Sequence, residues 1–137
     1  MKKYSIFSHT ADIGIKGAGK NIASLFICMA KATSSLIRVP GDKGSLFSMK
    51  VKLSAADIET LLVAWLNEII YLSYKNRVSF KDFRIRKICD EQIEADISGN
   101  KNTPGRFPAV EIKAATFHKL KVIRSKAGVK AQIILDL

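Results

Sequence analysis

Acidic residues are scarce: 12 Asp and Glu stand against 23 Lys and Arg over 137 residues, a formal net charge of +11. That balance favours an anionic partner, with RNA the first candidate. The basic residues are nonetheless scattered (Lys16, Lys20, Lys31, Lys50, Lys52, Lys75, Arg84, Arg86, Lys119, Lys121) and form no single run, as a generally lysine-rich surface would also have them. Cysteine is reduced to two, Cys28 and Cys89, far apart and outside any metal-ligand spacing. This excludes a zinc module and a disulfide scaffold, and both are read as reduced, buried thiols, Cys28 on a helix and Cys89 on a strand. Long apolar runs are missing too. The longest, Leu61 to Leu66, stops at Asn67-Glu68, well short of the roughly 20 residues a membrane span needs. Met1-Lys2-Lys3 could open a signal peptide, but Ser5, Ser8, His9 and Asp12 break any apolar core behind it. The expectation is a mature cytoplasmic chain. Repeats, linkers and low-complexity segments are absent, so residues 1–137 read as one domain, long enough for a real core.

What the chain does have is one strongly periodic stretch, Ser54 to Tyr74. Ile58, Leu61, Leu62, Trp65, Leu66, Ile69, Leu72 and Ser73 repeat at the spacing of one helix face, with Asp57, Thr60, Asn67, Glu68 and Tyr71 opposite. Ser54 is placed to cap it, with Asp57 approximating a capping box. Val63, Ala64 and Ile70 widen the apolar band, which predicts a helix covered by a sheet and a buried Trp65.

Around it, strands are predicted at Lys3–Ser8 and Ile13–Lys16, then a turn at Gly17-Ala18-Gly19 and a second helix from Asn21 to Leu36 with Asn21 as its cap. Pro40-Gly41-Asp42 ends that unit, and Ser45–Leu53 alternates like a half-buried strand. After the central helix the pattern is nearly all β: Val78–Ile88, Gln92–Ile97, a loop over Ser98–Pro108, then Val110–Phe117, Leu120–Arg124 and Val129–Leu135. Helices among early strands followed by a run of strands give an α+β fold, two helices packed on one mostly antiparallel or mixed sheet.

Several residues carry potential chemistry. Gly14 to Asn21 nearly spells a P-loop, but Asn21 stands where the Mg²⁺-binding hydroxyl belongs, so the stretch reads as a strand-to-helix turn. His9 and His118 could share acid–base work, yet no nucleophile is marked beside them, and a hydrogen-bonded structural role serves each as well. Alternation sets Lys113 on one face with Ala115 and Phe117, by default a solvated one. Asp12 and Asp136 each interrupt an apolar, strand-like context near opposite ends of the chain. If brought together they would repel unless a cation, a lysine or a proton separated them, the logic of a hard-metal site.

Taken in order, these residues resemble the archease family from His9 to Asp136. The likeness rests on His9-Thr10-Ala11-Asp12, Leu25-Phe26, Leu61 to Leu72 (LLVAWLNEIIYL), Glu111 to His118 (EIKAATFH) and the closing Asp136-Leu137. Phe117 replaces the family's Tyr, Gly99-Asn100 replaces its Gly-Glu, and residues 101–108 lack the His often found there. The strong positive charge is also a departure. The resemblance implies a protein that is not itself an enzyme but an activator of the RtcB-type RNA ligase. It would promote guanylylation and repeated turnover in tRNA splicing and RNA repair. It further implies that Asp12, Asp136 and Leu137 hold a divalent metal ion, Ca²⁺ or Mg²⁺, and that Lys113 and His9 act in partner activation. Two alternatives remain: a general chaperone for tRNA-modifying enzymes such as a methyltransferase, and a basic module binding tRNA directly.

Overall fold

The computed structural model describes residues 4–9, 12–39, 44–106, 108 and 110–137, with only the backbone described for Ser8 and His9. The described chain runs β1 (Tyr4–His9), β2 (Asp12–Gly19), α1 (Ile22–Ile37), β3 (Leu46–Ser54), α2 (Ile58–Asn76), β4 (Val78–Ile88), β5 (Gln92–Lys101), β6 (Ala114–Ser125) and β7 (Gly128–Asp136). The turn expected at Pro40-Gly41-Asp42, and Thr10-Ala11 of the His-Thr-Ala-Asp motif, lie outside the described residues.

The α+β class holds, but the expected single sheet is two antiparallel ones: a four-stranded sheet in the order β1-β2-β7-β6 and a three-stranded sheet in the order β3-β5-β4. Both helices serve both sheets. α1 packs on β2 and β4, and α2 on β6 and the three-stranded sheet. Trp65 ties them together, fully buried, its indole N–H donating to the Phe26 carbonyl of α1 at 3.0 Å and its ring meeting Phe83 of β4 edge to face.

The helix ends follow from capping chemistry. Asn21 accepts from the Ser24 N–H and the Ser24 hydroxyl accepts from the Asn21 N–H, a reciprocal box. α2 starts later than expected. Its cap is Asp57, which accepts from the Thr60 N–H, because Ser54 still pairs with Gln92 as the last residue of β3. The Thr60 hydroxyl, and with it this N–H, holds the Asp57 carboxyl below its usual range. At the other end Arg77, with φ 53°, closes the helix in the left-handed conformation.

Gly17-Ala18-Gly19 is not a turn; β2 continues through it. A Cβ on Gly19 would lie 2.5 Å from the Leu25 backbone nitrogen, so glycine there lets α1 sit against the strand that feeds it. The nearly P-loop stretch is therefore the end of a close-packed strand that leads, through Lys20, into the Asn21 cap of α1. Likewise, Val110–Phe117 and Leu120–Arg124 are not separate strands: β6 is one strand with a register shift between Thr116 and Lys121. Lys119 takes a positive φ, 53°, within that irregular stretch. Finally, Cys28 is buried as expected, whereas Cys89 is exposed just beyond the end of β4.

Candidate functional site

Strand register decides which acidic residues meet. β2 runs antiparallel to β7 and pairs Asp12 directly with Asp136. Alternation puts Ile13 and Ile15 of β2 and Leu135 of β7 into the core, so the two carboxylates project from the opposite face of the sheet. Directly opposed residues hold their Cβ atoms only about 4.5–5.5 Å apart, close enough for two like charges to destabilise the sheet. The Asp12 Oδ1 atom is buried and has no hydrogen-bond partner among the described residues. Asp136 is exposed.

The next row of the same face is closely packed. Phe7, Gly14 and Ile134 are register neighbours, and a Cβ on Gly14 would fall 1.9 Å from the Phe7 ring. Glycine thus lets the ring lie over β2, where it also carries the Lys16 ammonium at 5.4 Å from its centroid. His9 pairs with Asp12 through the β1–β2 register, which brings its backbone to the same row; its side chain lies outside the described residues. His118 is exposed in the irregular part of β6, its N–H bonded to the Thr116 hydroxyl.

Lys113 meets the pair through its backbone: its N–H donates to the Asp136 carbonyl at 2.8 Å, one step beyond the regular β6–β7 ladder. Its side chain lines a groove of about 520 Å³ with Asn67, Ile70, Tyr71, Tyr74 and Lys75 of α2. The carboxylates and this lysine share one end of the four-stranded sheet, with the lysine on its helix side. Leu137 follows Asp136 at 37% exposure.

Two residues to which the sequence pattern gives no part in the site hold this end in place. Asn67 clamps Ala115 on both sides, accepting from its N–H at 2.7 Å and donating to its carbonyl at 3.2 Å. The Tyr74 hydroxyl accepts from the Ile112 N–H at 2.8 Å, and burial pushes its phenol above the usual range. The expected solvent face of α2 is therefore partly a seam, binding the segment that carries Lys113. Periodicity marks Asn67 as polar and outward. It gives no sign that a strand lies there.

The arrangement fits a hard cation in donor type. Two opposed carboxylates, one with a buried oxygen that has no hydrogen-bond partner among the described residues, present oxygen ligands and two like charges. It is also sparse. Among the described residues, no three His, Cys, Asp or Glu side chains cluster to hold a metal. Further oxygens would have to come from main chain, water or a partner.

Comparison with known proteins bears on the family and the fold. The model of the archease protein family matches residues 4–137. A protein archease from Methanosarcina acetivorans is 34% identical over 141 residues, covering 99% of this chain and 97% of the relative. The Pyrococcus furiosus protein archease is 29% identical with both chains fully covered. In fold, the chain is similar to the solution structure of Methanobacterium thermoautotrophicum protein 1598, with a TM-score of 0.74 at 24% identity over the whole of both chains. It is also similar to the Thermotoga maritima crystal structure described as "an archease, possible chaperone", with a TM-score of 0.67 at 20% identity, covering 96% and 94% of the two chains. The chain belongs to the archease family.

Proposed function

We propose that this protein is an accessory factor of the RtcB-type RNA ligase, acting in the cytoplasm to promote the ligase's guanylylation and repeated turnover in tRNA splicing and RNA repair. The observation that carries the reading is the register pairing of Asp12 with Asp136, with Lys113 bonded to the same strand end. These are the residues to which the family likeness assigns metal binding and activation. Asp12 and Asp136, with Leu137 beside them, would hold a divalent cation, Ca²⁺ or Mg²⁺, which supplies a compact positive charge suited to hard oxygen ligands. The protein's own residues then do three things. The carboxylate pair offers a half-built ligand set that a partner's oxygens can complete. Asn67 and Tyr74 fix the segment around Lys113. Lys113 offers a point charge for an acidic or phosphate group on the ligase or its guanylate. The family likeness gives His9 a part in the same activation, and its backbone pairing with Asp12 is consistent with that role.

Multiple-turnover ligation by the cognate ligase, with and without this protein, tests the reading. Stimulation is expected from the wild type and not from Asp12→Ala or Asp136→Ala, both still folded by circular dichroism. If both variants stimulate as well as the wild type, the assignment is lost.

The chaperone reading draws on the wording attached to the Thermotoga structure. It predicts protection of a tRNA-modifying enzyme, such as a methyltransferase, from aggregation with no ligase dependence. The net charge of +11 favours a further contribution, non-specific contact with RNA. No stacking-aromatic motif of an RNA-binding fold accompanies the basic residues, so sequence preference is not expected. A mobility shift that weakens steeply with salt and is equal across RNA sequences is the expected result; tight selection of one sequence at physiological salt contradicts it.

A further inference from the structure

Away from the carboxylate pair, α1 floors a groove of about 480 Å³ lined by residues of both sheets. Tyr4 and Ala18 of the four-stranded sheet line it near the start of the helix, and Phe80, Lys81 and Phe83 of β4 line it from the three-stranded sheet. Both β1 and β4 are edge strands of their sheets. The volume lies within the roughly 300–1,000 Å³ typical of small-molecule sites.

Its lining divides by chemistry. Ile27, the buried Cys28 and the two phenylalanines make an apolar body. Lys31 on α1, Arg38 at its C-cap and Lys81 on β4 are exposed at the rim, and no acidic side chain among the described residues lines the groove. An anion entering the groove thus meets positive charge at its rim. One further group is unaccounted for. Ser34 is 3% exposed, its hydroxyl has no hydrogen-bond partner among the described residues, and it lines the same groove. A buried hydroxyl left unpaired carries a cost that a ligand acceptor would relieve. Neighbouring Ser35 and Ser24 are already committed, to the Ala32 carbonyl and to the α1 cap.

We propose that this groove binds a small amphipathic anion: a flat apolar body laid in the groove along the seam of α1 and β4, with a phosphate, sulfonate or carboxylate held at the rim by Lys31, Arg38 and Lys81. An inorganic anion would leave the apolar walls unused, and a neutral aromatic would leave three like charges uncompensated. The site is separate from the Asp12–Asp136 pair, so it stands or falls apart from the ligase reading.

Titration of the full chain with 1-anilinonaphthalene-8-sulfonate tests it by fluorescence. The expected result is saturable, single-site enhancement that weakens as salt rises. The double variant Lys31→Glu/Lys81→Glu should weaken the probe roughly tenfold, as reversing two exposed charges allows. Lys50→Glu/Lys52→Glu makes the same charge change on β3 and should leave the affinity unaltered. Ser34→Ala, which removes little but the hydroxyl, should weaken it about threefold. 1-Naphthyl phosphate should displace the probe at concentrations where inorganic phosphate does not. Equal loss in the two double variants, enhancement that never saturates, or displacement by inorganic phosphate at the same concentration as naphthyl phosphate would each overturn the assignment.

Discussion

The two sheets handle surface charge in opposite ways. On the three-stranded sheet the central strand is acidic and its neighbours basic, so the register reads Lys50–Asp96–Arg84 and Lys52–Glu94–Lys87. Arg86 adds an ion pair to Asp96. Opposite charges stand across each row, which stabilises the pairing and leaves little field for a partner to read. On the four-stranded sheet, like stands with like. Asp12 faces Asp136, and two rows further along Lys16 and Lys121 flank Gln132. Segregated charge costs the free protein something and gains its return only when a counter-charge arrives. The first pattern belongs to a self-sufficient surface, the second to one awaiting an ion or a partner.

The sharpest way to break this comparison is to remove what the two sheets share. Trp65→Ala empties a fully buried site where α1, α2 and β4 meet. We expect a loss of roughly 3–5 kcal/mol in chemical denaturation followed by circular dichroism, with both sheets melting in one transition. A loss under about 1 kcal/mol, or a surviving partial transition, would mean that the sheets do not depend on a common core.

A smaller effect is expected where only the four-stranded sheet is tethered. Asn67→Ala leaves both main-chain groups of Ala115 without their helix partner, at a cost of about 1–3 kcal/mol. Hydrogen exchange at the Ala115 amide should accelerate, and ligase stimulation should fall through loosening around Lys113, while amides of β5 keep their protection. Unchanged exchange at Ala115 would remove Asn67 from its positioning role.

How much of this was legible in the sequence follows from the range of each interaction. The two helices and the Asn21 cap are local, and spacing alone located them to within a few residues. The start of α2 was misplaced because Ser54 and Asp57 are both good caps. The choice between them was made by β5, which claims Ser54 by pairing it with Gln92. The number of sheets was out of reach for the same reason, since strand partners lie far apart in the chain. Gly17 and Gly19 looked like turn residues when their use is close contact with α1. At the candidate site, Asp12 and Asp136 stood out individually as charges in apolar strands, but only the β2–β7 register brings them side by side. Asn67 and Tyr74 gave no signal, because a polar residue on a helix looks alike whether water or a strand faces it.

Below Asn67 in expected size comes the cap of α2, which joins neither sheet. The Asp57 carboxyl titrates below its ordinary 3.8 because the Thr60 hydroxyl and backbone N–H both bond to it. A depressed carboxylate contributes stability above its unfolded pKa and loses that contribution as pH falls through the lower folded value. Asp57→Ala should therefore be less stable than the wild type at pH 7, with the gap closing in acid well below 3.8. Urea midpoints measured at both pH values check this; a gap that persists in acid would assign the cap's effect to something other than its charge.

The smallest effect is the most discriminating, because the comparison predicts its sign. Replacing an aspartate by asparagine keeps the shape and removes one charge. At Asp96 the lost charge faces Lys50 and Arg84 and is paired with Arg86, so Asp96→Asn should destabilise by about 0.2–1 kcal/mol. At Asp12 the lost charge faces Asp136, so with chelator present Asp12→Asn should stabilise by a similar amount. Calcium should then reverse the order. An ion that binds only the folded carboxylate pair raises the wild-type melting temperature by mass action, and Asp12→Asn gives up that gain while Asp96→Asn keeps it. Melting curves of the three proteins in chelator and in millimolar Ca²⁺ read out all of this without any ligase. If Asp12→Asn is the less stable protein in chelator, the pair is not repulsive in the free protein. If calcium then moves none of the three curves, the case for a cation between Asp12 and Asp136 fails with it.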